Sequence, residues 1–214
     1  MDLIMNSRLG ILLTLASALF MSGCATMSAD ECLSSDWQAI GFEDGSRGYT
    51  ADRIGYHRKA CGKHGVAPDL QEYQAGRAEG LREFCQPQRG FNLGAGGGQY
   101  NGVCPAELEG DFLDAFRTGA QLHTLRSNVN SANYQINARD KEIKQIKEEM
   151  RAKEVALISK DTPVEERVLI LADLKELSER TGQLEQEIEQ LVADRAVHEE
   201  QLASYEALLA SSGY

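Results

Sequence analysis

The chain has 214 residues, 42% hydrophobic, 26% charged and 7% aromatic, and carries a formal charge of −11 from 33 acidic and 22 basic side chains. That balance excludes a collagen, a multispan membrane protein and a wholly disordered chain. A surface this acidic repels phosphate backbones, so no nucleic-acid partner is expected. Five cysteines, four of them close together, point to an oxidising compartment.

An apolar run extends from Leu9 to Met21 and is preceded by Arg8. A bilayer-spanning helix needs about 20 apolar residues, so a run this short fits the core of a signal peptide. Asp2 weakens the positive segment before it, and a start at Met5 gives the cleaner Met-Asn-Ser-Arg. Met21-Ser22-Gly23-Cys24 resembles the lipobox of bacterial lipoproteins, with Met21 where leucine is usual. The resemblance implies that residues 1–23 are a signal peptide and that Cys24 becomes the lipid-modified mature N-terminus, palmitate included. Ala25 in place of aspartate implies sorting to the outer membrane, with the protein anchored by lipid and facing the periplasm. Several acyl chains on one cysteine anchor a protein stably, whereas one chain is marginal.

Composition then divides the chain. Residues 24–105 hold 8 basic and 10 acidic side chains, every cysteine and the sole Trp37, whereas residues 106–214 hold 13 basic and 22 acidic side chains, no cysteine, and glycine only at 110, 119, 182 and 213. The first segment reads as a Cys/Gly-rich helical head and the second as a charged helical stalk. Head helices are expected over about Ser35–Gly48, Ala51–His64 and Asp69–Cys85, with Asp69 after Pro68 as a cap. Trp37–Gly45 and Tyr73–Gly80 repeat a Gly-x-x-acid-Gly pattern, echoed weakly at Ala115–Gly119. Glycines four apart share a helix face and let a second backbone come close, at about 1 kcal/mol of helix propensity each. Gln86–Val103, rich in glycine, reads as an exposed loop.

Cys32, Cys61, Cys85 and Cys104 allow three pairings. The sequential one, Cys32–Cys61 with Cys85–Cys104, is preferred because each bond closes a short segment. A bond across the Gln86–Val103 loop is worth about 3 kcal/mol in the chain-entropy model. A head this small buries little core and needs such staples.

Three stretches carry a family resemblance: DWQAIGFEDGSRG from Asp36, ACGKHGVAPDLQEYQAGRAEGLREFC from Ala60 and GFNLGAGGGQYNGVCP from Gly90. Together they resemble the proteobacterial lipoproteins of the domain-of-unknown-function 2799 family over roughly Cys32 to Leu125. The resemblance implies an envelope lipoprotein and supplies no activity.

Little in the head suggests catalysis. His57, Cys61 and His64 fall at i, i+4 and i+7, a face that could present metal ligands. With Cys61 expected to be oxidised and both histidines expected at the surface, neither metal nor cofactor is anticipated. Gly94-Ala95-Gly96-Gly97-Gly98 lacks the preceding strand and the following Lys-Ser or Lys-Thr of a phosphate cradle. His123 and His198 lie in the stalk, no Gly-x-Ser-x-Gly element occurs, and Glu43-Asp44 reads as a solvated helix face, so no enzyme is expected. Phe91 and Tyr100 flank the glycine loop and, with Trp37, are the candidate platform for a glycan or peptide.

The stalk gives the clearest signal. Mostly apolar positions from Leu122 to Leu157, interrupted by Arg139 and Lys153, and again from Ile170 to Leu209, interrupted by Thr181, Arg195 and His198, step by 3 and 4 over about five heptads, the signature of a coiled coil. Between them Thr162 suits an N-cap and Pro163 a first helical position. Reversal there predicts an antiparallel hairpin with arms of about 65–70 Å. A register in which paired residue numbers sum to 327 places Arg195 opposite Ala132 and Thr181 opposite Ile146; a heptad-shifted register summing to 320 is the alternative. The polar faces are net acidic, unlike those of membrane-surface helices.

The sequence therefore predicts an all-α protein, a small disulfide-stabilised helical head followed by a long antiparallel coiled-coil hairpin. The expected role is a non-enzymatic envelope scaffold or adaptor, held to the membrane by its N-terminal lipid and engaging a protein partner through the coiled coil. The alternative is capture of a glycan or peptidoglycan fragment by the glycine loop.

Overall fold

A computed structural model describes residues 27–212; the leader, Cys24 and Ala25 lie outside the described residues. Within that range the chain is helical and has no strand. Helix α1 (Ala29–Ser34) opens on a capping box: Ser28 accepts from the Glu31 amide while the Glu31 carboxylate accepts from the Ser28 amide. The same amide and hydroxyl hold the Glu31 carboxyl below the usual glutamate value. Helix α2 (Trp37–Ser46) is capped by Asp36. A 3₁₀ turn (Ala51–Arg53) leads into α3 (Ile54–Gly62), followed by α4 (Leu70–Phe84), whose first amides bond the Asp69 carboxylate. Then come α5 (Pro87–Ala95), α6 (Ala106–Ile158) and α7 (Val164–Ser212).

These helices form two compact units, one running up to Phe84 and including Asn101–Pro105, the other comprising Cys85–Tyr100 and the chain from Ala106 onward. The compositional boundary at residue 105 is therefore not the boundary of packing. The first half of the expected loop is instead the helix α5, started by Pro87 in its first turn, and the chain from Gly96 to Val103 is non-helical. Of the glycines that suggest a loop, Gly90 and Gly94 form a contact face.

In the first unit α2 and α4 meet backbone to backbone. A Cβ on Gly41 would stand 2.1 Å from the Tyr73 carbonyl oxygen, one on Gly45 2.4 Å from that of Arg77, one on Gly76 1.8 Å from that of Gln38 and one on Gly80 2.1 Å from that of Phe42. Residue numbers rise together on both helices, so the two run parallel. The stretches that match in sequence, Trp37–Gly45 and Tyr73–Gly80, are thus the two partners of one contact.

The second unit contains the same arrangement again, between α5 and α6. A Cβ on Gly90 would stand 2.4 Å from the Phe112 carbonyl oxygen, one on Gly94 2.1 Å from that of Phe116 and one on Gly119 2.1 Å from that of Phe91. Gly41, Gly45, Gly76 and Gly80 correspond to Gly90, Gly94, Ala115 and Gly119. Both first helices end alike. Gly48 and Gly97 have φ of +72° and +73°, and their amides donate to the Gly45 and Gly94 carbonyls at 2.9 Å. A side chain at either would strike the ring at the equivalent place on the partner helix, Phe84 or His123. The fully buried aromatic rings Tyr73 and Phe112 also correspond.

Cys32 and Cys61 are joined, with Cα atoms 5.5 Å apart, tying α1 to α3. Cys85 and Cys104 are also disulfide-bonded.

Helices α6 and α7 form the antiparallel hairpin. Ile143, Ile146 and Leu184 are buried along the seam, with Met150, Leu177 and Ile188 packed on them. Arg139 pairs with Glu187 at 3.1 Å, Lys153 with Asp173 at 2.6 Å, and Arg195 donates to Asn133 at 3.1 Å. These numbers sum to 326, 326 and 328, which is the register centred on 327. Ala132 is buried where Arg195 crosses, leaving space for the long side chain. The reversal differs in one detail: Thr162 donates to the Ala156 carbonyl at the end of α6, and Pro163, whose carbonyl accepts from the Arg167 amide, is itself the cap position. The Arg167 guanidinium also donates to the Ser159 and Thr162 carbonyls.

The close approach predicts opposite outcomes for two glycine substitutions. Gly76→Ala must force α2 from α4 and should lower stability by about 1–3 kcal/mol in denaturant unfolding. Gly110→Ala, in a helix with no neighbouring atom in reach of the new methyl, should raise it by about 0.5–1 kcal/mol. For the hairpin, cysteines introduced at Ile143 and Leu184 should form an intrachain bond at high dilution, mapped by mass spectrometry. Purely interchain bonds at that pair would assign the seam to an oligomer.

Candidate functional site

Among the described residues the buried charged side chain is Asp44, 4% exposed, on α2 beside the glycine contact. Its Oδ2 accepts from the Tyr73 hydroxyl on α4 at 2.8 Å and lies 2.8 Å from Nε2 of His57 on α3. Its Oδ1 lies 3.8 Å from Nε of Arg53. A buried carboxylate is tolerated when its oxygens are paired in this way. The cluster joins three helices and the turn before α3. His57 also stands edge-on to Trp37, with centroids 6.3 Å apart, and 6.0 Å from the Tyr73 ring.

Burial, then the hydrogen bond to Asp44 and its negative charge, push the Tyr73 hydroxyl well above the usual tyrosine value. Tyr73 therefore keeps its proton in the folded protein and donates it to the carboxylate.

Above the cluster lies a cleft of about 800 Å³, bordered by Asp44 and His57 and walled by one face each of α2 and α3. Ile40 and Arg47 come from α2, Tyr56 and Lys59 from α3, and Met27 from the segment before α1. The guanidinium of Arg53 is held against two rings, 4.7 Å from the centroid of Tyr49 and 5.0 Å from that of Tyr56.

The residues singled out from sequence take different places. Trp37 is 6% exposed and belongs to the core of Cys32, Cys61 and Tyr73. Phe91 is on α5, and Tyr100 packs on Phe112 at 4.9 Å and donates to Glu109 at 2.9 Å. Phe91 therefore lies on a helix and Tyr100 in the segment after it, whereas Trp37 belongs to the core of the other unit. His57, expected at the surface, is half-buried against Asp44, and Asp44, expected on a solvated face, is inside. Cys61 is fully buried in its disulfide. Among the described residues no group of three or more His, Cys, Asp or Glu side chains is placed to hold a metal ion.

Sequence reasoning misses Asp44, although one signal for it exists. The acid of a Gly-x-x-acid-Gly motif adjoins a face that must touch another backbone. The signal is not selective, since Glu79 has the same place in the partner motif and is exposed. In the second helix pair the position is Leu93.

The chemistry available is positioning and charge. Asp44 has two hydrogen-bond neighbours and a cation close by, while the cleft carries cations at its edge. The raised Tyr73 hydroxyl has a pH consequence. The unfolded chain releases that proton near pH 10, whereas the folded chain holds it, so the stabilisation is complete below about pH 10 and is lost above it. The stability difference between the parent and Tyr73→Phe, measured by urea unfolding, should be constant up to about pH 9 and shrink above pH 10. A difference that stays flat to pH 11 would separate Tyr73 from this cluster.

A family model described as protein of unknown function (DUF2799) matches residues 36–121. The matched segment, less than half of the chain, takes in both glycine-bearing helix contacts and is what the chain shares with that family. No curated protein and no solved structure matches the chain.

Proposed function

We propose that this protein is a lipid-anchored envelope lipoprotein of the outer membrane that acts as a non-enzymatic scaffold or adaptor, holding a protein partner at the end of its coiled-coil hairpin. The observation that carries the reading is an apolar surface at the reversal. Val155, Ile158, Val164, Val168, Leu169 and Leu171 are each at least 55% exposed, and all lie close to the turn at Pro163. Elsewhere on the arms, exposed apolar residues such as Tyr134 and Val192 stand singly. Exposed apolar side chains gathered in one part of the chain in this way support an interaction surface. Residues 154–171 carry four acidic and two basic side chains, which favours a protein over an anionic bilayer.

Photo-reactive residues placed singly at Ile158 and Val168 in intact cells should each yield the same discrete cross-linked protein, whereas Lys144 at mid-arm should yield none. Cys24→Ser should abolish palmitate labelling and release the protein from the membrane fraction. Cross-links along the whole arm, or only to lipid, would overturn the adaptor reading, and a labelled Cys24→Ser protein would overturn the anchor.

A further inference from the structure

We infer that the cleft above Asp44 is a binding site for a phosphate ester carrying an apolar chain, the chemistry shared by a phospholipid headgroup and a free phosphate amphiphile. Its charge runs against that of the chain. In a protein of net charge −11, the lining has four fixed cations, Arg47, Arg53, Lys59 and Lys63, against the carboxylates Glu43 and Asp44. Two of these six are already committed to each other, Arg47 to Glu43 at 3.1 Å. Asp44 has the Tyr73 hydroxyl and His57 on one oxygen and stands 3.8 Å from Arg53 on the other.

The remaining cations have capacity to spare. Arg53 Nε is buried and makes no hydrogen bond among the described residues, while the ring contacts of Tyr49 and Tyr56 fix its guanidinium in place. Lys59 and Lys63 stand at i and i+4 on one face of the α3 segment, and neither enters an ion pair among the described residues. An arginine fork with two ammonium groups suits a tetrahedral, multiply charged anion that accepts several hydrogen bonds. A single carboxylate would be neutralised by one of them. Behind the cations the wall is apolar, from Met27, Ala39, Ile40 and Ala60, and free phosphate alone would leave that surface wet.

The helix packing does not require this polarity. Leu93 occupies the place of Asp44 in the second pair, in the same backbone arrangement, so an apolar side chain serves that position. Asp44 is a positioning residue here: it orients His57 and lies beside Arg53 at the cleft edge.

The test uses the full chain with Cys24→Ser, so that no acyl group on the protein contributes. Two probes are compared: vesicles of phosphatidylcholine mixed with phosphatidylglycerol, against phosphatidylcholine alone, and the soluble short-chain ester dihexanoyl phosphatidic acid. Binding is read by co-flotation and by isothermal titration. Lys59→Gln with Lys63→Gln changes two exposed residues and should weaken binding at least tenfold, and adding Arg53→Gln should abolish it. A control with Lys141→Gln, Lys144→Gln and Lys175→Gln removes the same charge elsewhere and should change affinity less than twofold. Retained circular dichroism and the intact Cys32–Cys61 bond confirm folding. Binding of vesicles alone assigns the ligand to a bilayer; binding of the soluble ester as well assigns it to the phosphate amphiphile itself. If neither probe binds, or if the control variants lose as much as the cleft variants, the inference is wrong.

Discussion

When a carbonyl oxygen occupies the space a Cβ would need, the α-carbon facing it can carry only hydrogen. Seven glycines meet a facing helix in this way, and the described parts of both compact units are organised around them. The contact is made of many weak terms, Cα–H···O approaches and dispersion across a long, flat interface, each small. Its structural effect is larger than its energy suggests, because interlocked backbones cannot slide. The four glycines of α2 and α4 fix where every other residue on those helices lies relative to its neighbour. The 2.8 Å bond from Tyr73 to Asp44 follows from that fixed register and would be lost if the helices stood one side-chain layer further apart.

The two helix pairs share this backbone and differ in what they carry. Tyr73 and Phe112 fill equivalent space, but only Tyr73 has a hydroxyl, and it meets Asp44 where the second pair has Leu93. Phe84 and His123 exchange places in the same way against their positive-φ glycines. One arrangement thus supports a wholly apolar version and a version with a buried, satisfied carboxylate. Burying Asp44 gives up hydration that hydrogen bonds only just restore, so it is not there to strengthen the helix pair. The first pair also has α1 and α3 tied beside it by Cys32–Cys61, which supplies the second wall of the cleft.

Legibility in the sequence follows the range of the interactions. The hairpin is readable to within one heptad of register because its signal is periodic and local: Ile143 and Leu184 lie on seams of about five heptads, and Pro163 breaks the chain between them. The caps Ser28, Asp36 and Asp69 depend on neighbours within three residues, and Asp69 is recognisable from the Pro68 before it. The glycine motif is visible, but the similarity that stands out pairs the wrong stretches. The match between the α2 and α4 motifs reflects two surfaces that face each other, whereas the repeat of the whole pair relates Gly41 to Gly90 and Gly80 to Gly119. Helix α5 escapes sequence reading because Gly90 and Gly94 lower helix propensity and Gly96, Gly97 and Gly98 follow at once, and only α6 explains why the first two are tolerated. Asp44 is invisible for a related reason, since its partners His57 and Tyr73 are 13 and 29 residues away.

Two features exceed what the fold needs, and they lie in different units. The hairpin seam is complete with Ile170, Leu174 and Leu177 on the face of α7 turned to α6. Val164, Val168 and Leu171 repeat at i, i+4 and i+7 on another face, exposed, where lysine or glutamate would serve folding equally well and solubility better. In the other unit, Lys59 and Lys63 line the same cleft as Arg53 and have no ion pair among the described residues, in a chain with eleven more acids than bases. Exposed apolar side chains and unmatched cations both raise the free energy of the isolated protein a little. Each is relieved by contact with something complementary, an apolar protein surface in the first case and an anion with an apolar chain in the second.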